Sequence, residues 1–571
     1  MLCRLLMLVI ALVASRTALR AQCATWETGP GNPGLNAPVW SLVSFDDGSG
    51  PSLFAGGTFT TAGGAPIGFV GRWDGVAWHD LAGGMNGPVF SLCVYDDGNG
   101  PALYAGGRFS LAGNVAASSI AKWDGTNWSA LGAGVVGCNF ASCRVVLAMA
   151  THDDGSGNAL FVAGDFNTAG GVPASRIAKW QTSAWTTLGS GLDANVNALT
   201  VFDDGSGSAL YAGGAFTNAG GVSASRVARW RGGAWSSLGS EFGTSPSSRV
   251  NTLTVFDDGA GSALYAGGAF AFTVAGQSIR LVAKWGGTSW SPVGLLSGTQ
   301  AGAAVNALRV FDDGHGGGPA LYAGGTFVEP FPSQGSQHTA RWTGTNWMPL
   351  GFGMHGVFDG IMQPAVLALG VHDDGFGSRL YAGGHFRVAG TIGARKLASW
   401  GRCNPIGTPF CFGDGSLPTP CPCLPPNTVP NPSGGSDGGC ANSFHLDGGR
   451  IRANGRTNPD RVQLIASNLP PGNSFGVFFG GDAVIAGGFA YGDGVRCADG
   501  TFVRFGGQES LGATMYYPNG FKGIMLPLSI VSGVVPGSAV TRYYQCAYRN
   551  PVFNFCSASL YNMTDAVEIV W

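Results

Sequence analysis

Short runs of alternating apolar and polar residues, broken by glycine-rich turns, fill two thirds of the chain; Val196 to Gly239 (VNALTVFDDGSGSALYAGGAFTNAGGVSASRVARWRGGAWSSLG) is a representative copy. Val196 to Phe202 alternates before the turn cluster Asp203-Asp204-Gly205-Ser206-Gly207, and Ala209 to Phe216 resumes an aromatic and aliphatic run, which together predict a hairpin. After the loop Ala219-Gly220-Gly221, the run Arg226 to Trp230, the turn Arg231-Gly232-Gly233 and the run Ala234 to Leu238 predict a second one. Aspartate pairs begin at Asp46, Asp96, Asp153, Asp203, Asp257, Asp312 and Asp373, and a tryptophan closes each copy at Trp73, Trp123, Trp180, Trp230, Trp285, Trp342 and Trp400. Seven copies at a period of about 50 residues are the signature of a propeller or solenoid, and four antiparallel strands per copy make a propeller blade. Paired glycines such as Gly213-Gly214 suit a strand that a neighbouring backbone or ring approaches closely, and Trp230 and Trp235 are expected to pack between adjacent blades.

The last copy lacks its outer strand. In six copies the closing Trp is followed five residues later by another, as in Trp73 and Trp78, whereas Trp400 runs into Gly401, Arg402 and Cys403. The missing segment stands at the other end of the chain, where Trp26 precedes Gly31 to Asn36 much as Trp185 precedes Gly189 to Leu192. A seven-bladed ring closed by a strand exchanged between the termini follows, and closure removes the free sheet edges that invite aggregation. With Trp26 beside Trp400, Cys23 and Cys403 fall where other blades have a tight turn, which predicts a Cys23 to Cys403 disulfide.

Insertions enter at one point of the repeat. Asp-pair to Phe spacing is 13 in six copies and 15 in the sixth, while the spacing from the second Trp to the next Asp pair runs 18, 25, 18, 22, 22 and 26. The longer loops are Val135 to Val146, Glu241 to Arg249, Leu295 to Ala304 and Gly353 to Pro364, and they emerge on one side together with the irregular Val328 to His338. Such a face is either a binding surface or a set of loops that tolerate drift cheaply. Phe352, Phe358 and Asp359 on it are the residues that would contact a sugar, the competing reading being ordinary loop packing.

The Asp-Asp-Gly turns hold 14 of the 33 acidic residues and resemble fragments of calcium loops, but they lack the alternate ligand spacing and the terminal bidentate acid. A base precedes the closing Trp at Arg72, Lys122, Lys179, Arg229, Lys284 and Arg341, so ion pairs within a blade and Asp side chains bonded to turn amides account for the pattern without a cofactor. His152 and His372 occupy the place of Phe or Tyr before the Asp pair and read as strand-end substitutions. His315, His338, His355 and His385 are scattered, and no catalytic triad or metal spacing assembles from them.

Composition adds an address. Met1 to Ala21, with Arg4 before the apolar run Leu5 to Ala14, reads as a secretory signal peptide, and no later stretch is long and apolar enough for a transmembrane segment. Thirteen Cys become twelve once Cys3 leaves, an even number that suits disulfides in an exported chain; Cys138 and Cys143 are expected to pair locally, while Cys93 reads as simply buried. A net charge of −2 argues against a nucleic-acid partner. Beyond the propeller (22 to 403), Asn404 to Asn442 reads as a Pro/Gly/Cys-rich linker and 443 to 571 as a β-sandwich with runs at Val462 to Ser467, Phe475 to Phe479, Thr501 to Phe505, Ala539 to Ala547 and Ala566 to Trp571. Cys497, Cys546 and Cys556 are expected to link its strands or the linker.

Leu210 to Gly214 followed by Trp230 and Trp235 resembles kelch repeats, and the fuller form with Asp-Asp-Gly and Gly-Gly-x-Phe is similar to repeats of Rax2-like cortical marker proteins and of large secreted proteins of planctomycete-type bacteria. The tail, with Cys411 to Gly415, Cys421-Pro422-Cys423, Gly492 to Gly494 and Tyr543 to Gln545, resembles a C-terminal domain carried by varied exported proteins of such bacteria, which implies delivery or surface attachment. The expectation is a secreted, monomeric, non-enzymatic propeller that binds an extracellular protein or polysaccharide, or serves structurally, at the cell envelope. The alternative is a polysaccharide-active enzyme with its site on the variable-loop face.

Overall fold

The computed structural model describes residues 25–28, 34–137, 145–239, 242, 245, 247–274, 276–294, 296, 302–313, 318–328, 337–356, 363–374, 377–390, 392–401, 405–406, 408–410, 450–454, 462–467, 469–470, 475–491, 494–501, 503–509, 514–517, 528–549 and 561–571. The expected signal peptide, most of the expected linker, and Cys23, Cys138, Cys143 and Cys403 lie outside them. The described residues are all-β but for a short helix, Leu528–Ser532, and the chain divides into two compact units, Met1–Gly390 with Ala394–Arg402 and Thr391–Gly393 with Cys403–Trp571. Among the described residues no helix is long and apolar enough to cross a membrane.

The first unit holds seven four-stranded antiparallel sheets, one per repeat. In the fourth, the strands Val196–Asp203, Ser208–Gly214, Val227–Arg231 and Ala234–Ser237 pair in chain order, as the alternation and turn signals predict. The first strands of successive sheets touch, and the first strand of the seventh sheet (Ala365–Asp373) touches that of the first (Val39–Asp46), so the sequence of contacts returns to its start. The seventh sheet takes its fourth strand from the N-terminal segment: Thr25–Thr28 pairs with Leu397–Gly401, Trp26 opposite Trp400. Glu27 brings a carboxylate 2.7 Å from the Arg379 guanidinium, the two side chains 5% and 2% exposed, so the joint is fixed by a buried charge pair as well as by the ladder.

Packing between sheets explains the invariant letters. After an exposed first residue the second strands are buried throughout, since both faces lie against neighbouring sheets. A Cβ on the first glycine of each pair would press on the valine that begins the next sheet, Gly213 against Val250 at 2.6 Å, and the third sheet in fact carries Ala163 there, buried with Val196. A Cβ on the second would strike a backbone oxygen, Gly214 against Asn195 O at 2.1 Å and Gly107 against Pro88 O at 2.1 Å, so only glycine fits. The paired tryptophans meet at about 5 Å (Trp230 and Trp235, 5.3 Å), and in Trp26, Trp128, Trp185, Trp235 and Trp347 the second donates its indole N–H to a carbonyl of the preceding repeat, Trp235 Nε1 to Leu188 O at 3.1 Å.

The second unit contains a sheet ordered Pro405–Ile406, Arg450–Asn454, Gln463–Ser467, Met515–Tyr517, and another ordered Thr408–Phe410, Tyr561–Val570, Thr541–Arg549, Phe475–Gly481, Val503–Glu509. Both contribute to one core with Ile451, Leu464, Met515, Phe478, Tyr544 and Ile569. Residues 405–410, expected in the linker, instead supply a strand to each sheet; strands of two and three residues carry no readable periodicity. Cys497 is disulfide-bonded, whereas Cys546, expected to pair, is a free and fully buried thiol whose pKa burial pushes up. Burial likewise raises Asp565 to about 7, against the Arg452 charge and the Ile451 amide that stabilise the carboxylate.

Candidate functional site

Antiparallel pairing fixes what stands at each end of a sheet in the first unit. The Asp-Asp turn joins the first and second strands at one end, while the paired glycines, the loop to the third strand and the inserted loops stand at the other.

At the Asp-Asp end every carboxylate with described partners has local ones. The first Asp of a pair caps its own turn: Asp203 Oδ1 accepts from Gly205 N and Gly207 N at 2.9 Å each. The second meets the base of the third strand and the tyrosine of the second strand; Asp204 contacts Arg229 Nη1 at 2.7 Å and accepts from Tyr211 Oη at 3.0 Å. Burial alone would raise the Asp204 carboxyl, but hydrogen bonds from Ser206 and Tyr211 with the Arg229 charge outweigh it and hold it below the usual range. The same pair recurs in six sheets, from 2.5 Å for Lys122 with Asp97 to 3.6 Å for Arg72 with Asp47; in the seventh, Ser399 replaces the base. Trp123 Nε1 adds a bond to Asp47 of the preceding sheet at 3.1 Å. This is a structural network, and among the described residues no three metal-ligating side chains come together.

His152 and His372 stack on Phe161 and Tyr381 as Phe202 stacks on Tyr211, with burial lowering both imidazole pKa values. Cys93 lies half-buried on a first strand, its thiol pushed up to about 12 by burial. It is poorly suited to nucleophilic chemistry.

The loop end differs. A cavity of about 330 Å³ opens between two of the insertions recognised from spacing, Glu241 to Arg249 and Leu295 to Ala304. Its walls carry Ser245, Ser247, Arg249, Arg280 and Gly302. Phe242 anchors the first insertion: fully buried, it meets Phe270 at 4.9 Å and Trp290 at 4.7 Å, both edge-on. Arg226 ties the same loop from the fourth sheet, donating to Ala215 O at 2.6 Å and to Ser245 O at 3.1 Å. The opposite wall is a hairpin longer than in the other repeats, Ser262–Val274 with Gln277–Trp285, which sets Ala271 across from Arg280. The ionisable side chains that line the cavity are the two exposed arginines.

Of the residues singled out from sequence, Phe352 is half-buried, its carbonyl accepting from His355 Nε2, and it does not line this cavity. Phe358 and Asp359 lie outside the described residues. Arg249 and Arg280 were not singled out: the first follows a run of serines inside an insertion and the second sits in a hairpin whose extension has no turn motif shared with other repeats. The usable signal was the insertion itself.

No family model matches the chain, and no curated protein matches it. Among solved structures it is similar to the extracellular domain of a protein described as a hybrid two-component system, BT3049 from B. thetaiotaomicron, at 10% identity and a TM-score of 0.33, covering 92% of this chain and 55% of that one. The chain thus spans about half the length of that neighbour. It is also similar to the V. cholerae biofilm matrix protein Bap1 at 11% identity and a TM-score of 0.20, covering 96% of this chain and 70% of that one. Likeness at these scores carries no argument about fold or function.

Proposed function

We propose that this chain is an exported, non-enzymatic, seven-bladed propeller of kelch-like repeats that binds a protein or glycan at the cell envelope, with a C-terminal β-sandwich that serves attachment or delivery. Support for the propeller comes from the seven four-stranded sheets, the first-strand contacts that return to their start, and the N-terminal strand that completes the seventh sheet. The observation that carries the binding reading is the cavity at the loop end: residues of two insertions, Ser245, Ser247 and Arg249 from one and Gly302 and Ala303 from the other, line it, and the buried Phe242 anchors the first. Walls of that kind hold a ligand site in shape before binding. Its charged lining is cationic, which suits holding a ligand, whereas glycoside hydrolysis works through a pair of carboxylates.

The test is co-sedimentation of the purified protein with a panel of insoluble polysaccharides and envelope fractions, with released reducing ends assayed in the same tubes. Retention without product supports a binding module. Release of reducing ends overturns the non-enzymatic reading, and absence of retention from every glycan and fraction overturns the binding reading.

A further inference from the structure

The cavity at the loop end carries chemistry narrower than general adhesion. Its two charged groups are guanidiniums, supplied by different walls: Arg249 at the start of the fifth sheet's first strand and Arg280 on the returning limb of the long hairpin. Both side chains are exposed, in a chain whose net charge is −2, so the positive charge is a local feature and not a general property of the surface. Arg249 spends one N–H on Ser247 O at 3.3 Å and keeps the rest of its fork. The Ser245 and Ser247 hydroxyls, 2.8 Å apart, add short-range donors and acceptors on the same wall. Gly302 O already accepts from Thr326 Oγ1 at 2.9 Å, which fixes the far rim.

Resting on the binding reading above, we infer that this cavity takes an anionic sugar unit of an acidic polysaccharide, its carboxylate or sulfate group held by Arg249 and Arg280 and its hydroxyls by the serine wall. A planar guanidinium fork matches a carboxylate or sulfate edge with two parallel hydrogen bonds, where a lysine would offer a point charge. A volume of about 330 Å³ sits at the low end of the ligand-pocket range, roughly 300–1,000 Å³, and so suits a single sugar unit at a time. The serine hydroxyls stand at the close spacing that ring hydroxyls satisfy, and Ala269, Phe270, Ala271 and Ala303 give the cavity an apolar lining against which the C–H face of a sugar ring can rest. The rigid anchoring of the wall by Phe242 keeps the ordering cost of binding low.

The test is titration calorimetry of the full chain with polygalacturonate, dextran sulfate, neutral dextran and polyglutamate, for wild type and for Arg249→Ala, Arg280→Ala and, as a control on a different sheet, Arg108→Ala. All three arginines are exposed, so folding is preserved and is checked by melting. Expected is binding to polygalacturonate or dextran sulfate, the stronger of the two identifying the anion as carboxylate or sulfate, with weakening as salt rises. Arg249→Ala and Arg280→Ala are each expected to weaken it about tenfold or more, and Arg108→Ala to leave it unchanged. Equal affinity for neutral dextran, unchanged binding in both cavity variants, or a preference for polyglutamate over every polysaccharide overturns the inference. Retention on another glycan or envelope fraction that ignores the two arginines overturns it while leaving the binding reading in place, and absence of any ligand overturns both.

Discussion

Two adjacent glycines offer a test of how the sheets are packed. Alanine at Gly214 places a Cβ 2.1 Å from Asn195 O, well over 1 Å inside the roughly 3.5 Å at which such atoms attract. The oxygen is held, since it accepts from Ala215 N at 2.9 Å, so either the strand moves by about 1 Å or that bond breaks at a cost of about 1 kcal/mol. Overpacking of this kind costs about 1–3 kcal/mol or more, and the gain from a stiffer unfolded chain, about 0.4–1 kcal/mol, offsets only part of it. At Gly213 the same change meets Val250 Cγ1 at 2.6 Å, the end of a side chain that can shift, and the equivalent place in the third sheet is Ala163. The expected result is therefore a Gly214→Ala variant less stable by about 3 kcal/mol beside a Gly213→Ala variant within about 1 kcal/mol of wild type. Urea midpoints for the pair decide it. Equal effects, or a Gly214→Ala change under 0.5 kcal/mol, would refute the steric argument.

Glu27→Ala leaves the Arg379 charge buried without its partner, and should destabilise the first unit by about 3–5 kcal/mol in denaturant titration, with much of the loss restored when Arg379 is also replaced by Leu; a loss under 1 kcal/mol would mean that the exchanged strand does not hold the seventh sheet. His338 is buried, both ring nitrogens lack hydrogen-bond partners among the described residues, and burial first, with the His355 charge second, lowers its pKa to about 4. The unfolded chain takes up a proton below its own pKa of about 6.5 that the folded chain refuses down to about 4, so stability falls across that window by up to about 3 kcal/mol as pH drops. His338→Asn should flatten that part of the pH dependence of the melting temperature, and an unchanged slope would contradict the burial. Trp571 is 2% exposed and its indole N–H donates to Tyr544 Oη at 3.0 Å; Trp571→Ala should cost the second unit about 3–5 kcal/mol, read as loss of near-ultraviolet dichroism at a lower urea concentration.

What the sequence made legible was whatever recurs with a side-chain cause. The period, the four strands per copy, the base-to-Asp pairs and the pairing of Trp26 with Trp400 each rest on a residue type that physics demands at that place. The second unit was legible where a run of β-forming residues is bounded by turn residues: Gln463–Ser467, Phe475–Gly481, Val503–Glu509, Thr541–Arg549 and Tyr561–Val570 overlap expected runs, whereas Ala483–Tyr491, Gly494–Asp499 and the short edge strands at 405–410 were not anticipated. The candidate site was legible as a location and not as residues. Spacing marked the inserted loops, but which side chains of an insertion turn inward depends on Phe242 entering the core and on Arg226 gripping Ser245 O, contacts between residues 19 or more apart.

One feature common to all seven sheets left no trace in the letters at all. A residue four before the closing Trp, at or near the start of the third strand, has a left-handed backbone in every copy: Phe69, Ser119, Arg176, Arg226, Leu281, His338 and Lys396, with φ between 60° and 72°. Glycine would be the default there, since each such residue costs about 1–2 kcal/mol, yet none of the seven is glycine. The conformation is held from outside: the N–H of this residue reaches the carbonyl of the repeat phenylalanine (Arg226 N to Phe216 O, 2.9 Å), and its own carbonyl accepts from the second glycine of the pair (Gly214 N to Arg226 O, 2.9 Å). The glycine that tolerates no Cβ and the residue that tolerates a positive φ are thus two halves of one joint. Because the joint is made by backbone hydrogen bonds, this position carries a different side chain in each sheet at the loop end while the backbone stays the same. Leu281 lines the cavity from it and Arg226 secures the cavity wall from it, so the strained joint is where a uniform scaffold acquires a local site.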